Sequence, residues 1–165
     1  MSLNFKYFKK NKLISLDNFL QDVLYNDKYG YYSKKNPFGA DGDFITAPSI
    51  SPLFGEMLAV WIVLYWENLN KPKNFNIIEL GPGSGSLSKN LIETFRKFPE
   101  FSKIYNFYIY EKSKYLKKIQ KNNINNNKVK WIAHFNNIRK GPVLFMGNEF
   151  FDAIPIKQYF KKKDE

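Results

Sequence analysis

The residues best suited to chemistry in this chain stand together at positions 77–85, Ile-Ile-Glu-Leu-Gly-Pro-Gly-Ser-Gly. A short apolar run leads into three glycines, Gly81, Gly83 and Gly85, and a helical pattern follows them. An acid, Glu79, stands two places before the first glycine. A strand that runs into a glycine-rich turn and then a helix is typical of a nucleotide-type cofactor bound at the carboxyl end of the strand. The segment therefore predicts a cofactor site.

The spacing of the glycines indicates which cofactor it is. The dinucleotide pattern is G-x-G-x-x-G, and Ser86 stands where its third glycine would fall. A phosphate-binding loop needs Gly-Lys-Ser or Gly-Lys-Thr, and neither occurs in the chain. A carboxylate before the turn repels a pyrophosphate, so Glu79 favours a ligand that carries an ammonium or a sulfonium group. S-adenosylmethionine carries both groups, whereas a nicotinamide-dependent enzyme stays the alternative.

A second acid supports this interpretation. Residues 107–111, Phe-Tyr-Ile-Tyr-Glu, read as a strand that ends at Glu111. Ligands of open α/β sheets lie beyond the carboxyl ends of the strands, so Glu79 and Glu111 would face one crevice. A carboxylate there can accept hydrogen bonds from ribose hydroxyls, each worth roughly 1.5–3 kcal/mol. The alternatives are an ordinary surface turn for the glycines and a solvated strand end for Glu111.

Composition excludes several classes of site. The chain has 165 residues, enough for one domain with a real core. It has no cysteine and a single histidine, His134, so we expect no disulfide, no metal site and no Ser-His-Asp triad. Its net charge is +11, but only Arg96 and Arg139 of its 26 basic residues are arginine, which argues against a nucleic-acid partner. The longest apolar run, residues 58–66, is far shorter than the about 20 residues of a membrane-spanning helix.

Strand and helix patterns alternate along the chain and predict an α/β fold with a parallel, doubly wound sheet and helices on both faces. The expected helices cover residues 15–27, 52–68 and 113–121, with a further one that carries Leu87, Leu91, Phe95 and Phe98 on one face. The expected strands cover residues 75–80, 107–111, 129–133 and 143–146. The helix at 52–68 is apolar nearly all round and should be buried. We expect residues 1–72 to be a helical and loop segment covering the cofactor site, and residues 73–165 to be the first half of the cofactor-binding domain.

The segment after the fourth strand reads Asn-Glu-Phe-Phe-Asp-Ala-Ile-Pro at residues 148–155. Glu149 and Asp152 could hold a guanidinium or an amine through charge-assisted hydrogen bonds. The phenylalanines could cover a cation from the side. The alternative is a helix start with apolar anchors.

Three segments together resemble a known family. The loop at 79–87 is similar to the first motif of class I S-adenosylmethionine methyltransferases. Residues 42–48, Gly-Asp-Phe-Ile-Thr-Ala-Pro, lead to Phe-Gly-Glu at 54–56, and the segment at 148–155 follows. In this order they resemble the MidA-like family, whose mitochondrial members are assembly factors for respiratory complex I. The resemblance runs from about residue 29 to residue 159.

The resemblance implies a Rossmann-like class I methyltransferase domain and a protein arginine N-methyltransferase. The mitochondrial relatives dimethylate an arginine in a complex I subunit. S-adenosyl-L-methionine would be the cofactor and a protein arginine side chain the substrate. The implied cofactor-binding residues are Glu79, Gly81, Pro82, Gly83, Gly85 and Glu111, with Gly42, Asp43 and Thr46 on a segment over the cofactor. The implied catalytic residues, facing the target amine, are Asn148, Glu149 and Asp152.

The chain departs from the family in two respects. Ser84 replaces a basic residue and Ser49 replaces an acid, but neither change removes a glycine or a carboxylate of the site. Family members are also much longer, so the chain resembles an amino-terminal portion with an incomplete sheet. A missing carboxyl-terminal half, or a second copy of the chain, is the expected partner.

Other functions remain open at this point, and so does the activity of this chain alone. One is a non-catalytic module that binds S-adenosylmethionine or a partner, and another is a nucleic-acid methyltransferase. Residues 1–12 are basic but have no apolar core of a secretory signal and no arginine. We expect a bacterial cytoplasmic protein, with the mitochondrial matrix as the alternative.

Overall fold

A computed structural model describes residues 13–34, 37–38, 42–44 and 50–161. Its helices are α1 (Leu16–Tyr25), α2 (Tyr31–Lys34), α3 (Pro52–Asn68), α4 (Ser86–Phe95), α5 (Pro99–Ile104) and α6 (Lys114–Ile124). Its strands are β1 (Phe75–Leu80), β2 (Tyr105–Tyr110), β3 (Val129–Ile132) and β4 (Val143–Met146), and short 3-10 turns cover Phe135–Asn137 and Phe151–Ala153.

The four strands form one parallel sheet in the order β3-β2-β1-β4. The chain therefore moves outward from β1 to β2 and β3 and then crosses back to place β4 on the other side of β1. The space beyond the carboxyl ends of β1 and β4, where the strand order reverses, is the usual ligand position in such sheets. The expected α/β class is confirmed.

Strand residues alternate between two faces of the sheet. Phe75 and Ile77 of β1 enter the larger core, and Ile78 points to the opposite face. The larger core also takes residues of α3, α4, α5 and α6. The smaller cluster joins Ile78 to Tyr108 and Ile132, and no described residue of those four helices belongs to it. The densest packing thus lies on one face.

Several boundaries differ from the sequence-based expectation. Helix α1 ends at Tyr25 because the backbone of Asn26 turns to ψ 130°. A short helix, α2, occupies a stretch that was expected to be loop. The short helix α5 was not predicted. It begins at a proline, which is favoured at the first position of a helix. Strand β2 consequently starts at Tyr105, and Glu111 follows the strand instead of ending it.

Helix α3 has the predicted bounds but not the predicted burial. It packs on α4 at Gly55, where an added Cβ would lie 2.7 Å from the Cβ of Asn90. On the other side it exposes an apolar stripe at helical spacing, formed by Leu53, Met57, Trp61 and Leu64, which are 51–63 % exposed. The expectation of burial on all sides is wrong for the described residues, because only one side of the helix packs into the core, the side that carries Gly55, Ala59, Ile62, Val63 and Trp66.

Strand β4 lies at the end of the sheet. It pairs with β1 along Asn76–Glu79, and none of the described residues pairs with its other edge. Val143 and Phe145 on this strand are 38 % and 51 % exposed. The sheet is therefore incomplete on the β4 side, as expected from the sequence.

Neither a membrane-spanning helix nor a cluster of metal ligands occurs among the described residues. No helix there is long and apolar enough to cross a membrane. No group of three or more His, Cys, Asp or Glu side chains is arranged there to hold a metal ion.

Candidate cofactor and acceptor site

The three loop glycines all adopt left-handed backbone conformations. Their φ angles are 60° at Gly81, 55° at Gly83 and 85° at Gly85. Non-glycine residues adopt this conformation only at a cost in free energy. Glycine therefore stands at the three positions where the turn needs a positive φ. The amide of Gly81 donates to the carbonyl of Tyr110 (2.9 Å), which ties the start of the loop to the end of β2. The loop therefore sits where β1 and β2 end.

Glu79 lies beneath this loop and is only 2 % exposed. The hydroxyl of Ser88 in α4 donates a hydrogen bond to its Oε2. Burial raises the pKa of the Glu79 carboxyl to about 7, and the bond from Ser88 opposes that rise. The carboxyl consequently changes charge near neutral pH and would ionise more readily beside a cation.

Glu111 follows β2 and is 8 % exposed. Its Oε1 accepts from the backbone amide of Ser113 (2.8 Å) and its Oε2 from the side-chain amide of Gln120 (3.0 Å). Burial raises the pKa of the Glu111 carboxyl, and these two donors act against the rise. A carboxylate offers about four acceptor positions, so two remain for hydroxyl groups of a ligand.

A cleft of about 310 Å³ opens beside Glu111. Its floor includes Gly81 and Gly83, and its walls are largely aromatic, with Tyr25, Tyr32, Phe38, Phe44, Tyr110 and Phe150. This volume is at the lower end of the roughly 300–1,000 Å³ of small-molecule sites. A smaller cavity of about 50 Å³ is lined by Glu79, Pro82 and Asn148 and shares Gly81 and Gly83 with the larger cleft. The two acids thus serve neighbouring cavities that share the glycine loop.

Two phenylalanine rings press on the loop. A Cβ added at Gly81 would lie 2.7 Å from the ring of Phe150, and one added at Gly83 would lie 3.0 Å from the ring of Phe38. The absence of a side chain at each glycine therefore allows the left-handed turn and leaves room for the aromatic ring. Such rings can cover the apolar parts of a nucleoside.

The acids after β4 reach the same cleft. Glu149 and Asp152 line it, and Glu149 also lines the smaller cavity together with Asn148. Both acids are exposed, whereas Asn148 is half-buried. Glu149 has a φ of 49°, an uncommon conformation for a residue with a side chain and one often found at functional positions. The structure therefore places Glu149 and Asp152 at the larger cleft and Asn148 at the smaller cavity, with Glu149 common to both.

The amino-terminal helices α1 and α2 contribute Tyr25 and Tyr32 to the wall of the cleft. The hydroxyl of Tyr25 in α1 donates to the carbonyl of Ala153 (2.7 Å). Burial, with Tyr32 and the charges of Glu111 and Asp152, raises the pKa of Tyr25 to about 12, so this hydroxyl keeps its proton. The chain before the sheet and the chain after β4 thus meet over the site.

The other residues predicted for the site lie outside the two cavities or outside the described residues. Gly85 caps α4 and faces Ile124, and it lies outside both cavities. Gly42 and Asp43 also lie outside both cavities, and the hydroxyl of Tyr31 donates to Asp43. Their neighbour Phe44 does line the cleft. Thr46 lies outside the described residues.

Sequence reasoning missed most of the supporting residues. Ser88 and Gln120 lie inside helices and carry no motif of their own. Tyr25, Tyr32 and Phe38 belong to an aromatic-rich amino-terminal stretch, and that richness was the available signal. Their role depends on a long-range contact that spacing along the chain does not reveal.

The fold is of the α/β class with a cleft at the glycine loop, and comparison with known proteins gives its family. Residues 57–165 match the family described as "Putative S-adenosyl-L-methionine-dependent methyltransferase". The match covers well over half of the chain, which therefore belongs to this methyltransferase family.

Similar proteins carry consistent names. The mitochondrial protein arginine methyltransferase NDUFAF7 homolog of Drosophila melanogaster is 30 % identical over 87 % of this chain and 38 % of its own length. NDUFAF7 of Xenopus laevis is 30 % identical over 92 % of this chain and 40 % of its own length. A crystal structure from Burkholderia thailandensis with bound S-adenosyl-homocysteine has a TM-score of 0.72 and 27 % identity over 86 % of this chain and 38 % of that one. The chain spans about two fifths of the length of these relatives.

Proposed function

We propose that this chain forms the cofactor-binding part of a protein arginine N-methyltransferase that uses S-adenosyl-L-methionine. The observation that carries the proposal is the pair of buried acids, Glu79 and Glu111, on either side of a left-handed glycine loop. One acid suits a cationic methionine group and the other suits ribose hydroxyls. Membership of the methyltransferase family and the likeness to a structure with bound S-adenosyl-homocysteine support the same cofactor.

The acceptor side of the proposal rests on the acids after β4. S-adenosyl-L-methionine supplies, when bound, a methyl group on a positively charged sulfur. An arginine guanidinium has a pKa above about 12 and reacts poorly while its charge is delocalised over all its nitrogens. Carboxylates at Glu149 and Asp152 would hold the charge on two nitrogens and turn the third toward the cleft. One of these carboxylates would take up the proton that the third nitrogen releases when it gains the methyl group and S-adenosyl-homocysteine leaves. Positioning of this kind can supply roughly 7–11 kcal/mol of the barrier reduction.

Cofactor choice is tested by thermal unfolding with S-adenosyl-homocysteine or with NAD. We expect the first ligand to raise the melting temperature and NAD to leave it unchanged, because a bound ligand at 100 times its Kd stabilises by about 2.7 kcal/mol. Glu111→Gln should lose most of the effect, and Glu93→Gln, an exposed acid on α4, should keep it. Stabilisation by NAD but not by S-adenosyl-homocysteine would refute the cofactor assignment.

Methyl transfer is tested with labelled S-adenosyl-L-methionine and arginine-containing proteins from a cell extract. The chain is assayed alone and in a full-length protein completed with the remaining part of a relative. In the completed protein we expect label on arginine, and Glu149→Gln should abolish it without changing the affinity for S-adenosyl-homocysteine. Wild-type turnover in that variant would remove Glu149 from the reaction. Subunits of respiratory complex I are the first substrates to try, because the chain resembles the MidA-like family, whose mitochondrial members are assembly factors for that complex.

A second candidate is a module that binds the cofactor without transferring its methyl group. Two observations favour it: the chain spans about 38 % of its Drosophila relative, and Glu149 and Asp152 are exposed. This chain would therefore provide few of the contacts that hold a methyl acceptor. Binding of S-adenosyl-homocysteine with no methyl transfer, either by the chain alone or after completion, would support this second candidate.

A further inference from the structure

One fully buried side-chain amide joins three parts of the cofactor site. Gln120 of α6 is 0 % exposed. Its Nε2 donates to the carbonyl of Gly83 (2.9 Å) and to Oε2 of Glu111 (3.0 Å). Its Oε1 accepts from the indole nitrogen of Trp131 in β3 (3.0 Å). Both donor hydrogens and the carbonyl oxygen are therefore satisfied.

The orientation of this amide follows from its neighbours. An indole N–H can only donate, so Trp131 requires the oxygen of Gln120 on its side. The carbonyl of Gly83 and the carboxylate of Glu111 can only accept, so they require the nitrogen. A flipped amide would face two acceptors with its oxygen and a donor with its nitrogen. Trp131 thus fixes which way Gln120 points, and Gln120 in turn fixes Oε2 of Glu111.

Helix α6 provides a natural comparison a turn away. The side-chain amide of Asn123 donates to the carbonyl of Ser84 (2.9 Å) in the same glycine loop. Asn123 is exposed and has no bond to Glu111. Both amides fasten the loop, but only Gln120 also touches the carboxylate.

We infer that Gln120 is a positioning residue for ribose recognition, which locks the Glu111 carboxylate and the Gly83 carbonyl in one arrangement. The inference rests on the proposed cofactor. Two acceptor positions of Glu111 are occupied by Ser113 and Gln120, so the remaining two have a defined direction. Without Gln120, Oε2 of Glu111 loses its side-chain donor, and the bonds of the carboxylate to two ribose hydroxyls lose their preset geometry.

The test compares S-adenosyl-homocysteine with its analogue that lacks both ribose hydroxyls, by calorimetric titration of the full chain. The variant is Gln120→Met, which keeps the length of the side chain and removes its hydrogen bonds; the matched control is Asn123→Ala. We expect Gln120→Met to weaken S-adenosyl-homocysteine binding by about 10-fold, as the loss of a bond to a charged group implies. Binding of the dideoxy analogue should change by less than about 3-fold, because that ligand makes no ribose bond to lose.

Asn123→Ala should leave the ratio of the two affinities at its wild-type value, because Asn123 touches only the loop. A merely structural role of Gln120 would weaken both ligands in the same proportion. Equal loss for both ligands in Gln120→Met, or no loss for either, would overturn the inference.

A second measurement needs no cofactor. Carboxyl carbon-13 NMR of the ligand-free chain should show a higher pKa for Glu111 in Gln120→Met than in wild type, because a donor to the charged form is lost. The other groups that act on Glu111 (the backbone amides of Lys112 and Ser113, and the side chains of Lys117, Tyr25 and Tyr32) are the same in both proteins, and Asn123→Ala should show no change. An unchanged pKa in Gln120→Met would overturn the inference.

Two results separate this inference from the proposed function and from misfolding. A wild type that binds no S-adenosyl-homocysteine refutes the proposed function, whereas the NMR titration still decides whether Gln120 holds Glu111. Trp131→Phe keeps an aromatic ring and removes the donor to Gln120, so it tests the same chain of contacts if Gln120→Met fails to fold. It should change the affinity ratio in the same direction by a smaller factor, and an unchanged ratio would count against the inference.

Discussion

Replacing Glu79 by glutamine should change how stability depends on pH. Glu79 is 2 % exposed, and burial raises the pKa of its carboxyl from 4.5 to about 7. One pKa unit corresponds to about 1.4 kcal/mol, so the charged carboxylate destabilises the folded chain by about 3 kcal/mol relative to the unfolded chain. Ser88 already donates to this carboxyl, and a glutamine oxygen can accept the same bond.

The sign of the effect follows from the two pKa values. The unfolded chain releases this proton near pH 4.5 and the folded chain near pH 7, so the folded chain binds more protons in between. The contribution of Glu79 to stability is therefore complete below about pH 4.5 and is lost as the pH rises through about 7. Glutamine does not titrate, so the stability of Glu79→Gln minus that of wild type should grow by about 2–3 kcal/mol between pH 5 and pH 8.

Urea unfolding followed by circular dichroism at both pH values measures this difference. Glu93→Gln, an exposed acid in α4, is the control and should show a stability difference that does not depend on pH. A Glu79→Gln difference that is equal at pH 5 and pH 8 would show that Glu79 does not change charge in this range. Glu79→Gln should also bind S-adenosyl-homocysteine more weakly than wild type above pH 7, because the ammonium group of the ligand then has no carboxylate partner at position 79.

Three further substitutions test the scaffold of the site. Gly83→Ala should destabilise the chain by about 1–2 kcal/mol, measured by thermal unfolding, because φ is 55° and the new methyl would meet the ring of Phe38 at 3.0 Å; an unchanged melting temperature would contradict this. Asn76→Ala should cost about 2–3 kcal/mol in urea, since this fully buried amide donates to two backbone carbonyls, and a cost below about 0.5 kcal/mol would count against those bonds. Tyr25→Phe removes the bond to Ala153 and should speed dissociation of S-adenosyl-homocysteine in stopped-flow displacement, with a loss of about 1 kcal/mol in stability; an equal off-rate would mean that the bond does not close the cleft.

The parts of the site that follow local rules could be predicted from the sequence. The glycines at 81, 83 and 85 signal a left-handed turn after a strand, and the structure has that turn. The aromatic run before Glu111 is a strand, although it starts at Tyr105, earlier than predicted. Short-range conformational preferences decide both features, so the sequence carries them directly.

The parts that depend on distant packing could not be predicted. Helix α3 looked buried on all sides because its residues are apolar, yet burial depends on how many neighbours reach it, and only one side is covered here. Gln120 sits in a lysine-rich helix that reads as a solvated surface, and it is buried only because α6 packs against the glycine loop. Neither fact is encoded in the spacing along the element itself.

The bond between Tyr25 and Ala153 has a consequence for the order in which the molecule assembles. It joins residues 128 positions apart. Closing a flexible loop of that length costs about 4 kcal/mol, which is more than a single hydrogen bond returns. The contact can therefore form only after the parallel strands have drawn the chain together. The ribosome must synthesise Ala153 before the bond to Tyr25 can form, so the cleft of a nascent chain would stay open on this side until then.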